Sequence, residues 1–163
     1  MNTATALEQL LRSYRVYYNV NSDQAEPPFS AQADFSLHDE QYFLVKSARI
    51  SEADSKEHVY FAEAEHLDEE TFKKLDTAAW SKGIARVKPH GSHKNTDITL
   101  VIVADVIDEA VKKLIPKMKR YKSYRFGLHG WSHYRLAAIE LSTGKAVCNR
   151  QGRDLQKLVC NIK

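Results

Sequence analysis

Asp97-Ile-Thr-Leu-Val-Ile-Val-Ala-Asp105 decides the architecture of this 163-residue chain. Its five consecutive apolar residues, Leu100 to Ala104, break the apolar–polar alternation of a half-buried strand, so a strand here needs both faces covered. The segment is predicted to be the central strand of a sheet with helices packed against it.

Working toward the N-terminus, a polar loop over 87–96 precedes the strand, and before that the chain reads as a helix. Asp68 is placed as its N-cap, Glu69 and Glu70 lie in the first turn, and Lys73 and Lys74 follow, an order that suits the helix dipole. Phe72, Leu75, Ala79 and Trp80 form the buried stripe, and Gly83 is the expected C-terminal cap. Further back, Phe29, Ala31, Ala33, Phe35 and Leu37 alternate with polar residues, which is the pattern of a half-buried strand. A second strand is expected over Gln41 to Ile50 and a third over His58 to Glu65, joined as an antiparallel meander with Ser51 to Glu57 as a charged connection. Thr5 and Glu8 make a capping box for a first helix from Ala6 to Tyr18, and Asn19 to Pro28 reads as an extended link.

Toward the C-terminus, Asp105 is expected to cap a helix whose apolar face runs from Val106 and Ile107 to Leu114 and Ile115, ending near Pro116. Strands follow over Ser123 to Leu128, Tyr134 to Leu141 and Lys145 to Cys148, and a helix over Asp154 to Ile162 closes the chain. The expectation is therefore an α+β fold, a single domain over residues 1–163. A mixed, mostly antiparallel sheet carries helices packed on it, in the order α-βββ-α-β-α-βββ-α.

Composition agrees with a packed domain: 43% of residues are hydrophobic, 10% aromatic, and there are only four prolines and six glycines. Two cysteines, Cys148 and Cys160, are too few for a disulfide framework and point to reduced thiols in a cytoplasm. The N-terminus lacks the basic start and apolar run of a signal peptide, and no apolar run is long enough to cross a membrane, so a soluble cytoplasmic protein is expected. Net charge is +3, unevenly spread. From Ala110 to Ile139 there are eight bases and no acid, which leaves 16 bases against 21 acids elsewhere, a net of −5.

The segment with most chemical character is Ser-Tyr-Arg-Phe-Gly-Leu-His-Gly-Trp-Ser, residues 123–132. Two glycines three apart in a strand-forming stretch mark a bulge or a close approach of another backbone or a ligand. Arg125, His129, Trp131, His133 and Arg135 cluster around them, with Lys119 and Arg120 just upstream. Paired with stacking surfaces, such bases suit an anionic ligand or nucleic acid; the plainer reading is a structural bend with packed aromatics. At this run, and at the preceding apolar strand with its Asp105, the chain resembles a family of small uncharacterised bacterial proteins. The resemblance covers most of the domain and implies no activity, cofactor or catalytic residue.

Other chemistries find less support. His129 and His133, four apart on a strand, would lie roughly 13 Å from each other, too far to share an ion, so no metal site is expected, nor any cofactor. Glu63, Glu65 and Asp34 are a candidate acidic set for a metal-dependent phosphodiester hydrolase, and helix, three strands, helix, strand is the order of the restriction-endonuclease-like core. The acid-x-Lys signature of such nucleases is absent from the expected third strand; its only match, Asp54-Ser55-Lys56, is read as loop. No nucleophile elbow or phosphate-binding glycine loop occurs. The favoured reading is a non-enzymatic domain that binds an anionic partner. A nuclease-like hydrolase and a purely structural or protein-interaction domain are the alternatives.

Overall fold

The computed structural model describes residues 1–36, 54–89 and 93–162; the strand expected over Gln41 to Ile50 and the loop histidine His90 lie outside them. The elements are α1 (Thr3–Tyr14), β1 (Asn19–Asn21), β2 (Ala31–Ser36), β3 (Asp54–Leu67), α2 (Glu69–Ala85), β4 (His93–Ile107), α3 (Glu109–Leu114), β5 (Tyr121–Ser123), β6 (Trp131–Glu140), β7 (Lys145–Cys148) and α4 (Arg153–Cys160). Among the described residues the order is α-βββ-α-β-α-βββ-α, that of the expected α+β domain, but its first trio includes β1, where a link was expected, and not the strand expected over Gln41 to Ile50.

One sheet runs β1-β2-β3-β4-β6, with β5 and β7 both paired to β6. β3, β4 and β6 are parallel, and the remaining pairings are antiparallel. The central position of β4 follows from its apolar run: Leu100 to Ala104 are all fully buried. On one face Ile98, Leu100 and Ile102 pack with Phe72, Leu75 and Ala79 of α2 and with Val111 of α3. On the other, Val101 and Val103 lie under Leu7, Leu10 and Leu11 of α1 and under Leu155 and Val159 of α4. Each such side chain contributes about 1.5–3 kcal/mol when taken from water, so a strand apolar on both faces is most stable between two helical layers.

Several local expectations are corrected. The N-cap of α1 is Asn2, whose Oδ1 accepts from Thr5 N at 2.8 Å, while Glu8 pairs with Arg15 at 2.7 Å instead of closing a capping box. α1 stops at Tyr14, and Asn19 to Asn21 form edge strand β1 where a plain link was expected. Asp68 does cap α2, accepting from Thr71 N at 2.8 Å. Gly83, however, lies inside α2, because the helix approaches β4 so closely that a Cβ there would stand 2.5 Å from Ile98 Cγ2. Asp105, Val106 and Ile107 continue β4, so the N-cap of α3 is Asp108. Pro116, which lacks an N–H, falls in the 3-10 turn Ile115–Lys117 that ends α3.

The outer edge of β6 has one gap, between its pairings with β5 and β7. Asn149 fills it: Oδ1 accepts from Leu136 N at 3.0 Å, and Nδ2 donates to Tyr134 O at 2.9 Å and Met118 O at 3.1 Å. A side-chain amide thus satisfies the backbone groups that a strand would otherwise pair, beside the residues 131–135 that β6 carries at the end of the sheet.

Candidate anion-binding surface

Residues 123–128, expected as a strand, are mostly a turn. β5 ends at Ser123 and a 3-10 turn over Arg125–Gly127 follows. Tyr124 anchors it. Its N–H donates to Gly130 O at 2.9 Å, its carbonyl accepts from Gly127 N and His129 N at 3.0 Å, and its hydroxyl meets Ser132 Oγ at 3.0 Å in the interior. Between these anchors Arg125, Phe126 and Gly127 all have positive φ, at 48°, 55° and 89°. Gly127 adopts that backbone freely, whereas Arg125 and Phe126 do so at about 1–2 kcal/mol each. What the strain holds outward is a wholly exposed Phe126 ring, at 103% relative accessibility, together with Leu128 and Arg125. The surface projects; it is not recessed.

The bases of the acid-free stretch divide into two groups. Three are committed to carboxylates: Lys112 to Glu109 at 3.0 Å and Glu140 at 2.9 Å, Arg120 to Asp76 at 2.6 Å, and Arg135 to Glu57 at 2.6 Å and Asp154 at 2.9 Å. Arg120 lies on the α2 side of the sheet, and Arg135 on the α1 and α4 side. The structure therefore separates two bases that the sequence reading grouped together. Lys113, Lys117, Lys119, Lys122 and Arg125 are exposed and make no ion pair with another described residue.

The other segment residues sit beside the turn. His129 is half-buried within it, while Trp131 and His133 are half-buried on the α1 and α4 face of β6. The exposed Tyr121 ring lies 5.1 Å from that of His133. Among the described residues no group of three or more His, Cys, Asp or Glu side chains converges to hold a metal ion.

The model of a family described as a domain of unknown function, DUF8052, matches residues 2–161. The chain belongs to the DUF8052 family. No curated protein and no solved structure matches it.

Two polar clusters of this DUF8052 chain escape a sequence reading. Glu57, expected in a charged connection, lies in β3 at 6% relative accessibility. It accepts from Thr99 Oγ1 at 2.5 Å, from Arg135 Nη1 at 2.6 Å and from the Tyr18 hydroxyl. Burial, then the Glu57 charge, pushes the Tyr18 phenol well above its usual range. Asp97 is paired with Glu57 across β3 and β4; burial and then the same charge raise its carboxyl pKa. On the opposite face Asp34 Oδ1 meets His58 Nδ1 and Arg86 Nη2, both at 2.8 Å. Burial works against the Asp34 charge, but those two bonds outweigh it and hold the carboxyl below its usual value. Beside them lies a cleft of about 260 Å³ lined by Gln32, Tyr60, Lys82 and Arg86, with Glu26 and Ala85.

This arrangement also breaks up the acidic set of the hydrolase reading. By strand alternation Asp34, beside His58, faces the α2 layer, whereas Glu63 and Glu65 share the face of Phe61, which packs under α1. Asp54-Ser55-Lys56 belongs to β3 and not to a loop. The missed clusters left no signal in the sequence because their partners lie as far as 78 positions apart in the chain.

Proposed function

We propose that the chain is a binding domain whose β5–β6 turn holds an anionic partner, nucleic acid or another polyanion. The observation that carries this reading is a set of exposed cations, Lys119, Lys122 and Arg125, that make no ion pair with another described residue and flank a strained turn that holds Phe126 outward. Folding alone gives no reason to keep that combination, since Phe126 adds nothing to the core and glycine would relax the turn. Lys119, Lys122 and Arg125 supply charge-assisted donors for phosphate or sulfate oxygens. The working compartment in this reading is the cytoplasm, in keeping with two free cysteines and with the absence, among the described residues, of a helix long and apolar enough to cross a membrane. The metal-dependent hydrolase reading would need its acids on one face.

Retention on immobilised heparin tests the proposal. The wild-type chain is expected to bind at low salt, and the K119E/R125E variant to elute early while keeping its circular dichroism spectrum, because both side chains are exposed. A wild-type protein that passes straight through at low ionic strength rules the proposal out.

A further inference from the structure

Charge alone explains the lysines of the β5–β6 turn but not its rings. A base-free polyanion has no use for Phe126, which stands clear of the fold with both ring faces open. Nor is the ring alone. Tyr121 is exposed across β5, and Trp131 is half-buried at the start of β6, in register with Ser123. Tyr121 and Trp131 fall on one face of the strand pair because Tyr121 pairs with His133 and Ser123 with Trp131. An open Phe126 ring and an exposed Tyr121 beside Lys119 and Arg125, which make no ion pair with another described residue, match how sequence-tolerant single-strand binders work: every base has a π-face to stack, and every linkage carries one charge. Lys122 alternates to the other face, where its Nζ lies 5.5 Å from the Tyr124 ring centroid.

Resting on the reading of this turn as an anion-binding surface, we infer that its partner is single-stranded nucleic acid. Bases stack on Phe126 and on the Tyr121 and Trp131 rings, while Lys119 and Arg125 take the phosphates. An acidic peptide is disfavoured because the cations alone would hold it, leaving the open Phe126 ring without a role. A duplex is disfavoured because its bases already cover one another, so several rings on one strand pair would find no faces to meet.

The test compares three probes by fluorescence anisotropy at about 50 mM and 200 mM salt: an oligothymidylate of about 16 nucleotides, a duplex of the same length, and heparin. F126A is expected to weaken oligothymidylate binding about tenfold and to leave heparin binding unchanged, F126W to restore it, and K119E/R125E to weaken both. If F126A binds the oligonucleotide as the wild type does while K119E/R125E does not, stacking is refuted and the anion-binding surface stands. Heparin binding without oligonucleotide binding has the same meaning. A duplex bound more tightly than the single strand overturns the inference in favour of a wedge between base pairs. Failure of all three probes removes the inference and the proposed function together.

Discussion

The Arg135 guanidinium of β6 reaches across the central strand to the Glu57 carboxylate of β3, 2.6 Å away, with Thr99 of β4 donating to the same oxygen at 2.5 Å. The three strands are thereby tied at the end of the sheet where their apolar cores give out. Removing one partner of a buried pair leaves an uncompensated charge, so R135A is expected to cost about 3–5 kcal/mol in urea unfolding. Replacing both partners, as E57L/R135M, should recover most of that loss. A single variant within about 0.5 kcal/mol of wild type would show that the pair contributes nothing.

Asp97 lies next to that pair and titrates against the fold. Its pKa is raised by burial and then by the Glu57 charge, so the folded protein holds this proton to higher pH than the unfolded chain, whose value is near 3.9. Below about pH 3.9 both states are protonated and nothing is lost; as pH rises through the folded value, ionisation destabilises the native state, and the effect is complete above it. D97N should therefore raise the urea midpoint at neutral pH and converge with the wild type in acid. Equal midpoints at pH 7 would mean that the Asp97 charge is fully compensated.

The central strand was legible because five buried residues in a row leave a single reading. The cap of α2 was legible because Asp68 and the acids behind it act within one helical turn. Where the sequence misled, a tertiary contact overrode a local preference. Gly83 resembles a helix end but serves close packing on Ile98. Residues 123–128 have the alternation of a strand, yet Gly127 and Gly130 close a turn that forces their non-glycine neighbours to positive φ. Grouping Arg120 and Arg135 with the exposed bases failed for a related reason. Nothing near them in the chain announces Asp76 or Glu57, which the fold brings from 44 and 78 positions away.

Gly83 gives a prediction opposite to helix propensity. In an open helix, glycine to alanine adds about 1 kcal/mol of stability. Here the new Cβ would meet Ile98 Cγ2 at 2.5 Å and Cδ1 at 2.7 Å, so G83A is expected to lose about 1–3 kcal/mol by overpacking. Trimming the neighbour should relieve the clash: I98A removes Cγ2, Cδ1 and Cγ1 together, so in that background the same substitution costs less, and the double-mutant cycle shows a favourable coupling above about 0.5 kcal/mol. Additive effects would place the two residues out of contact.

Phe126 sets stability against function. Its backbone, at φ 55° and ψ 31°, is one that glycine adopts without penalty and phenylalanine does not, and the ring touches no core residue. F126G should therefore relieve about 1–2 kcal/mol of strain, offset in part by the greater freedom of the unfolded chain, for a net gain of about 0.5–1 kcal/mol. In urea the midpoint should rise with an unchanged slope, since no buried surface is altered. The same variant should lose affinity for single-stranded nucleic acid while keeping its retention on heparin, because the exposed ring is what the strain maintains. A variant that is more stable and binds as well as the wild type would leave the strained turn without a purpose, and one that is less stable would show that the ring packs after all.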